Sequence, residues 1–337
     1  MMIMKRVLLM GGTGAMGVYL APMLVDMGYR VDVLSLDKAV SDSPSLRYIQ
    51  GNGMDMDLMR ELLKNNYDGI VDFLIYKTEA FRERYQMLLE ATKHYIFLSS
   101  YRVYAGESPI IEDSPQLLDV STNEQYLATE DYSLIKARGE DILEGSGYSH
   151  WTIVRPAITY SKFRYQLVTL EADAVIARAR AGKTVILPKS AKDVQATMTW
   201  AGDVARMLAN LLFNEKAMSR HYTLATAEHQ TWGTIAGYYE KLIGLKTIWV
   251  DDEDYVQMVT SRPEMYMAYR WQLEYDRLFE RVVDNSRILE DTGIQQSSLT
   301  PLYEGLQREI AQLPKEIPCN GASGVNIRMD AYLAERE

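Results

Sequence analysis

A glycine-rich turn that follows a short apolar run constrains the fold of this chain most strongly. The run Arg-Val-Leu-Leu-Met covers residues 6–10, the turn contains Gly11, Gly14 and Gly17, and a helical pattern of apolar residues begins at Tyr19. Strand, tight turn and helix in this order form the first unit of a dinucleotide-binding sheet. An ordinary strand–helix turn is the alternative, but the context on both sides favours the dinucleotide site.

Each residue of this turn has a predicted role. Gly11 permits a turn with positive φ, Gly14 lets the backbone approach a pyrophosphate, and Gly17 allows close packing of helix and strand. Ala15 and Met16 lie at the start of the helix, where exposed N–H groups and the helix dipole hold phosphates. The turn is therefore the predicted pyrophosphate site.

Composition and charge exclude several other classes of protein. The chain has 337 residues, of which 47% are hydrophobic, as in ordinary globular proteins of one or two domains. Its 46 acidic and 36 basic residues give a net charge of −10, which argues against a nucleic-acid surface. No apolar run reaches the ~20 residues that span a bilayer, and the first residues do not resemble a signal peptide. We expect a cytoplasmic protein with no nucleic-acid or membrane partner.

Cysteine and histidine give no sign of a metal centre. Cys319 is the single cysteine, and the four histidines, His94, His150, His221 and His229, are scattered without ligand spacing. A disulfide framework or a cysteine-based metal site cannot be built from these residues. We therefore predict no metal.

Strands and helices alternate along the first half of the chain. Five further apolar or alternating runs are predicted strands: residues 29–36, 46–52, 69–76, 95–100 and 151–156. This alternation predicts a Rossmann-like α/β fold, a doubly wound parallel sheet with a smaller, mixed α/β C-terminal substrate domain. The dinucleotide-binding domain is predicted over residues 1–155 and also recruits about 193–226. The substrate-binding portion covers 156–337 and is interleaved with it.

Helical patterns fill the stretches between these strands. Single helices are predicted over residues 79–92, 126–144 and 167–181. Asp203 is predicted to cap a helix over residues 204–213.

Asp37 follows the second predicted strand, 20 residues after Gly17. A carboxylate at this place binds the ribose hydroxyls of the adenosine and repels the 2′-phosphate of NADP. NAD is therefore the predicted cofactor, with NADP as the alternative because Lys38 lies beside Asp37, which could equally be a solvated loop residue. Asn52 and Gly53, beyond the third predicted strand, are further candidate cofactor contacts.

A tyrosine and a lysine four residues apart are the candidate proton-transfer pair. Tyr132 and Lys136 share one face of a predicted helix, and a neighbouring cation lowers the pKa of a phenol by stabilising the phenolate. Such a tyrosine can take a proton from a carbinol or return one to a carbonyl. Ser100, at the carboxyl end of a predicted strand, is positioned to bind the same substrate oxygen. About one Tyr-x-x-x-Lys pair is expected by chance, but this is the only one in the chain.

These motifs together resemble the extended short-chain dehydrogenase/reductases, and among them the NAD-dependent epimerase/dehydratase family. The resemblance runs from about Lys5 to Phe213, through the glycine turn, residues 99–104, Tyr132-x-x-x-Lys136 and Val154-Arg155-Pro156. It implies that the tyrosine is the acid/base, that the lysine lowers its pKa and orients the nicotinamide ribose, and that the serine polarises the substrate oxygen.

The resemblance also implies a reaction and an assembly. Hydride would pass between NAD and a secondary alcohol, as in an epimerase or oxidoreductase acting on a nucleotide sugar or related polyol. Ser99, Tyr101 and Arg164 are candidate substrate contacts. The family's homodimer would form through helices around residues 82–92 and 133–143. A catalytically retired dinucleotide-binding protein is the alternative, and an RNA-binding member is disfavoured by the acidic charge.

Some positions depart from the family pattern. Tyr101-Arg102 stand where sugar dehydratases usually carry Asp-Glu, so the second acid/base pair that elimination of water requires is missing. This argues against a 4,6-dehydratase. Asn52 replaces the usual aspartate near the adenine, and the usual Tyr-Gly-Pro is Tyr160-Ser161-Lys162. These changes weaken the nucleotide-sugar inference but leave the hydride-transfer residues intact. Arg164, Lys162 and Arg178 are candidate contacts of a substrate diphosphate, but surface charge is the favoured interpretation of each.

Overall fold

The computed structural model describes residues 4–162, 164–314 and 323–336. Cys319 lies outside these ranges. The strands are β1 (Arg6–Met10), β2 (Arg30–Ser35), β3 (Leu46–Gln50), β4 (Gly69–Asp72), β5 (His94–Leu98), β6 (Trp151–Pro156), β7 (Ile158–Tyr160), β8 (Thr184–Pro188), β9 (Gln195–Ala196), β10 (Met198–Trp200), β11 (Arg220–Leu224), β12 (Gln230–Thr231) and β13 (Lys246–Val250). The α-helices are α1 (Gly17–Asp26), α2 (Met56–Leu63), α3 (Thr78–Arg82), α4 (Tyr85–Glu90), α5 (Leu117–Val120), α6 (Glu124–Leu127), α7 (Tyr132–Glu144), α8 (Ala172–Arg180), α9 (Ala201–Leu211), α10 (Trp232–Ile243), α11 (Asp252–Val259), α12 (Tyr266–Gln272), α13 (Ser286–Thr292), α14 (Leu302–Ala311) and α15 (Ser323–Ala334).

Seven strands form one parallel sheet in the order β11-β6-β5-β4-β1-β2-β3. The strand order reverses between β1 and β4, and ligands of doubly wound sheets bind beside such a reversal, at the carboxyl ends of the strands. The predicted fold class, a Rossmann-like α/β fold, is confirmed.

Helices cover both faces of this sheet, which explains why its strands are almost continuously apolar. Val7 and Leu9 of β1 pack in one cluster with side chains of α1 and α9. The alternate residues, Leu8 and Met10, pack in a second cluster with side chains of α2, α3 and α4. All four side chains are fully buried, so β1 contributes to two cores at once.

The last strand of the sheet comes from beyond residue 156. Strand β11 pairs with β6 in parallel register, with Tyr222 opposite Val154. Helix α9 packs on α1, on the same face of the sheet. Both elements fall within residues 193–226, and the division of the chain into two domains stays a prediction.

The remaining C-terminal elements surround a third, larger core. The pairs β7–β10 and β8–β13 are parallel, and β9–β12 is antiparallel. Trp232, Tyr239 and Tyr255 are buried in this core, which also includes Tyr101 and Val103, just beyond β5. The C-terminal core therefore packs directly on the carboxyl end of the sheet.

Three predicted helices are wrong in extent. Residues 79–92 form two helices, α3 and α4, because the buried Arg84 between them turns its side chain inward and donates to the carbonyl oxygens of Ala80 (2.6 Å) and Gly53 (3.1 Å). Helix α7 begins at Tyr132 because the Asp131 carboxylate caps it by accepting from Ser133 N–H (3.0 Å).

The third helix of wrong extent, α8, and the predicted cap at Asp203 are both explained by contacts outside the helices concerned. Helix α8 covers only Ala172–Arg180, since Leu167 and Leu170 form an antiparallel bridge. Asp203 lies in the first turn of α9 rather than at its cap. Its carboxylate accepts from Thr300 N–H at 2.7 Å, so it fixes a distant loop.

His94 is fully buried in β5 and is held as a neutral imidazole. Its Nδ1 accepts from Phe213 N–H at 2.8 Å. Its Nε2 lies 2.8 Å from the Thr152 hydroxyl, which itself donates to Ala217 O at 2.6 Å and so accepts from the imidazole. Burial lowers the pKa of His94 to about 4. A second ring proton would displace the Phe213 hydrogen bond.

We predict that His94 makes the fold sensitive to acid. Because its folded pKa lies below its unfolded value, the unfolded chain binds the extra proton first, and stability is lost as the pH falls from about 6.5 towards 4. The loss is up to about 3 kcal/mol. His94→Asn keeps an acceptor for Phe213 N–H without the titration, so its unfolding free energy should fall less between pH 7 and pH 5.

Urea unfolding at both pH values measures this difference. His229→Asn is the matched control, since His229 is exposed and should leave the pH dependence of wild type unchanged. Equal pH dependence in His94→Asn and wild type would contradict the assignment.

Candidate active site

The glycine turn between β1 and α1 has the geometry that its sequence predicts. Gly11 has φ +77° and its N–H donates to Leu34 O at 2.8 Å. A Cβ on Gly17 would lie 2.2 Å from the Gly12 carbonyl oxygen, so only glycine fits there. At Gly14 the nearest atom to a Cβ would be Gly11 O at 3.7 Å, which leaves open space on that side of the turn. The backbone can therefore come close to a ligand at Gly14.

The start of helix α1 is suited to an anion. Met16 is its N-cap and makes no side-chain capping bond, and no acidic residue lies in the first turn, Gly17 to Leu20. The helix dipole attracts negative charge to the first N–H groups of a helix. In α1 the Val18 and Tyr19 N–H groups already donate to backbone oxygens, so the groups left for a ligand are those up to Gly17. Phosphate oxygens fit this end of α1 without an electrostatic conflict.

The other predicted cofactor residues lie beyond β2 and β3, at the same edge of the sheet. The Asp37 carboxylate is exposed and accepts from the Thr13 hydroxyl of the glycine turn at 2.6 Å. Asn52 is also exposed, but its side-chain oxygen accepts from Met54 N–H at 2.9 Å, which leaves its amide N–H groups for a ligand. Gly53 O accepts from the Arg84 guanidinium at 3.1 Å. These contacts hold the loops that border the predicted adenosine end.

Lys136 is buried where β4 and β5 end. Its Nζ donates to Leu98 O at 2.6 Å and to Leu74 O at 3.1 Å, and it lies 5.8 Å from the centre of the Tyr132 ring. The Ser100 hydroxyl accepts from Arg102 N–H at 3.2 Å, in a single 3₁₀ turn that follows β5. The structure thus brings Tyr132, Lys136 and Ser100 together.

The pKa values of the pair differ from the prediction. Burial raises the pKa of Tyr132 above its usual value, against the opposing effects of Arg102, Arg164 and a hydrogen bond with Ser100. Burial also lowers the pKa of Lys136 to about 8, although the charge of Asp72 counteracts it. The predicted lowering of the Tyr132 pKa by Lys136 is wrong for this structure, because burial dominates and the arginines, rather than Lys136, oppose it.

A cavity of about 390 Å³ opens between the glycine turn and the C-terminal core. Six of its lining residues were predicted from the sequence: Met16, Ser99, Ser100, Tyr101, Tyr132 and Arg164. Six polar or charged ones were not: Arg102, Thr159, Gln166, Glu171, Gln272 and Arg277. The sequence contains one signal for Arg277, because Asp276-Arg277 is a pair of opposite charges within an aromatic segment that otherwise resembles core.

Positive charge exceeds negative charge among the residues that line this cavity. Arg102, Arg164 and Arg277 line it, with Glu171 as the one acidic lining residue of the described chain. Arg164 Nε lies 3.7 Å from a Glu171 oxygen. The predicted surface role of Arg178 is wrong, because its buried guanidinium donates to Asp330 at 2.9 Å, away from the cavity.

One cluster has side chains of metal-ligating type in the residues that the structure describes. It consists of Glu140, Glu144 and His221. Glu140 is paired with the Arg155 guanidinium at 2.5 Å, and His221 Nε2 lies 2.8 Å from Glu144. These contacts account for the cluster, and the absence of a metal stays a prediction.

The family follows from a match along most of the chain. A model of the NAD dependent epimerase/dehydratase family matches residues 7–225. The chain belongs to this family. The predicted resemblance is thereby confirmed, and the predicted cofactor, NAD, is confirmed at the level of the family.

Solved structures share the fold at low identity. Epimerase Mth375 from Methanothermobacter thermautotrophicus is 14% identical, with a TM-score of 0.70 over 92% of this chain and 93% of that one. The Bordetella bronchiseptica enzyme WbmG, solved with NAD, is 15% identical, with a TM-score of 0.68 over 92% and 94%. MoeE5, solved with UDP-glucuronic acid and NAD, is 17% identical, with a TM-score of 0.67 over 91% and 99%.

One relative in sequence is named as a stem-loop binding protein and not as an epimerase. The chloroplast stem-loop binding protein of 41 kDa b from Arabidopsis thaliana is 25% identical over 250 residues. The match covers 69% of this chain but only 61% of that protein.

In the described ranges, no helix has both the length and the apolar character needed to cross a membrane.

We predict that Gly14→Ala weakens cofactor binding without destabilising the fold. The new methyl group meets no protein atom closer than 3.7 Å, but it occupies the space where a pyrophosphate would approach the backbone. The dissociation constant for NAD should rise about tenfold or more, while the melting temperature stays close to that of wild type.

Calorimetric titration with NAD and thermal unfolding measure the two effects. Gly237→Ala is the matched control, since its Cβ would meet nothing within 4 Å in the middle of α10. This substitution should raise stability by up to about 1 kcal/mol and leave NAD affinity unchanged. Unchanged NAD affinity in Gly14→Ala would contradict the predicted pyrophosphate site.

Proposed function

We propose that the protein is an NAD-dependent epimerase or oxidoreductase that acts at a secondary alcohol, on a nucleotide sugar or a related polyol. One observation supports this most: Met16 of the glycine turn, Ser100 and the acid/base candidate Tyr132 line the same cavity at the carboxyl end of the sheet. A dinucleotide held at the turn and a carbinol bound at Tyr132 would share that space.

The residues of the turn fit NAD, because Gly14 leaves room for a pyrophosphate and the start of α1 favours an anion. Asp37 and Asn52 would border its adenosine end, and Lys136 its nicotinamide ribose. When bound, NAD supplies the hydride acceptor and donor, and a positive charge in its oxidised form. The reaction also requires the transfer of one proton, and a side chain of the protein must carry it.

Tyr132 is the proposed proton carrier. The phenol must lose its proton to accept one from a carbinol, and burial opposes this. Arg102 and Arg164 lower the cost by stabilising the phenolate, and the Ser100 hydroxyl is available to the substrate oxygen. Lys136 positions α7 through its bonds to Leu98 O and Leu74 O. General acid–base catalysis of this kind contributes about 100-fold or more.

The choice among reactions within the family rests on Arg102. An arginine is charged at neutral pH and does not exchange protons, so it does not replace the acidic residue that elimination of water requires. We therefore favour epimerisation or net oxidoreduction over dehydration. WbmG is also known with NAD and UDP, and MoeE5 with UDP-glucuronic acid, which supports a nucleotide sugar as substrate here.

Tyr132→Phe should abolish turnover and leave NAD affinity nearly unchanged. The substitution removes the proton carrier but keeps the ring against Arg102 and Lys136. Turnover is followed by interconversion of nucleotide sugars and by NADH absorbance, and NAD affinity by calorimetry. Tyr148→Phe is the control, because this exposed hydroxyl donates only to Glu90 on the surface. Wild-type rates in Tyr132→Phe would exclude the proposed role.

The same experiment tests the alternative of a retired binding protein. Tight NAD binding without turnover of any nucleotide sugar or polyol, in wild type as in Tyr132→Phe, would favour that alternative. The name of the Arabidopsis relative suggests stem-loop RNA as a second candidate ligand, which the net charge of −10 opposes. A gel-shift titration with a stem-loop RNA at physiological salt separates the two; we expect no shift.

We further propose a homodimer formed by α3, α4 and α7, as the family resemblance implies. The outer surface of these helices is a groove that includes Arg82, Tyr85, Arg138 and Ile142. Light scattering at micromolar concentration should give twice the mass of the 38.5 kDa chain. A monomer mass would contradict this assembly without affecting the proposed chemistry.

A further inference from the structure

A buried group of arginines beside the active-site cavity has more positive charge than its acidic partners neutralise. The group, which we call the arginine cluster, is Arg102, Arg277 and Arg281 around the carboxylate of Asp276. Their side chains are 16%, 3%, 2% and 0% exposed. Asp131, 3.8 Å from Arg102, is the one further carboxylate within ion-pair distance of the cluster among the described residues. Glu171 acts on Arg277 from farther away and is itself paired with Arg164. Three guanidinium groups thus face two carboxylates, and buried unpaired charge is costly.

Arg102 has the most unused hydrogen-bonding capacity in the cluster, and Arg281 Nε also lacks a hydrogen-bond partner. Arg277 and Arg281 donate to backbone carbonyls, Val168 O at 2.7 Å and Tyr104 O at 3.2 Å among them. The Arg102 guanidinium donates no hydrogen bond to a residue that the structure describes, and its buried Nε has no hydrogen-bond partner. Its contacts with Asp276 (3.4 Å) and Asp131 (3.8 Å) are ion pairs too long for good hydrogen bonds.

The position of Arg102 links this unused capacity to the reacting end of the substrate. It lies two residues after Ser100, and its guanidinium carbon is 5.3 Å from the centre of the Tyr132 ring. Arg102, Ser100 and Tyr132 all line the cavity. An anion bound by Arg102 would therefore lie next to the oxygen on which Tyr132 acts. A group at the far end of a long substrate would not reach it.

We propose that Arg102 binds a carboxylate of the substrate, on the same ring or carbon chain as the reacting carbinol. The proposal rests on the proposed function and narrows its substrate class to acidic sugars. A carboxylate has two oxygens that match two N–H groups of a guanidinium, and its single negative charge equals the excess of the arginine cluster. A phosphate dianion would exceed that excess by about one charge at neutral pH.

The test compares two nucleotide sugars that differ at one group. UDP-glucuronic acid has a carboxylate where UDP-glucose has a hydroxymethyl group. Calorimetric titration of the NAD-saturated protein should give an affinity about 10- to 100-fold higher for UDP-glucuronic acid. Arg102→Met removes the charge and keeps much of the side-chain volume, so this ratio should fall to near one. Arg102→Lys should restore part of it.

Two further measurements separate recognition from a structural role. NAD affinity and melting temperature report whether each variant is folded. If Arg102→Met does not fold, the affinity ratio is measured in Arg102→Lys instead. Arg164→Met is the matched control: Arg164 lines the same cavity but pairs with Glu171, so its loss should affect both nucleotide sugars alike and preserve the ratio.

The outcomes distinguish this inference from the proposed function. Equal affinity of wild type for the two nucleotide sugars, or an unchanged ratio in a folded Arg102→Met, would overturn the inference and leave the proposed function standing. Binding of NAD with no binding of either nucleotide sugar would overturn the nucleotide-sugar function and this inference together. A ratio that falls in Arg102→Met and recovers in Arg102→Lys supports both.

Discussion

The buried ammonium of Lys136 joins the elements on which the active site depends. It extends from α7 to the backbone carbonyls of Leu98 and Leu74, where two neighbouring strands of the sheet end. A buried cation is tolerated only when strong acceptors surround it, so breaking these hydrogen bonds would cost much free energy. They fix the first turn of α7, and with it Tyr132, against the carboxyl edge of the sheet. Asp72 stabilises the same charge from the end of β4.

Much of the fold and part of the site could be predicted from local sequence signals. The glycine turn and the alternation of parallel strands with helices depend on neighbouring residues and on periodicity, and both are readable in one sequence. Ser100, Tyr132 and Met16 meet in one cavity because the carboxyl ends of parallel strands share an edge.

The features that could not be predicted depend on contacts between distant residues. Arg84 interrupts a predicted helix because it binds Gly53 O. Asp203 does not cap its helix but accepts from Thr300 N–H, nearly 100 residues away along the chain. Arg277 lies in an aromatic segment that composition assigns to the core, and it is indeed buried, yet it also lines the cavity. The pKa of Tyr132 could not be predicted either, because burial is a property of the whole fold.

The position of β11 in the sheet has a consequence for how the chain can be divided. Strands β5 and β6 are adjacent in the sheet, but the outer neighbour of β6 is residues Arg220–Leu224, which follow more than 60 residues of intervening chain. A fragment that stops shortly after β6 would leave this buried strand with free N–H and C=O groups along one side, the kind of edge that pairs with other molecules. We therefore expect a cut near residue 155, the predicted domain boundary, to yield an aggregating product rather than a separate cofactor-binding module.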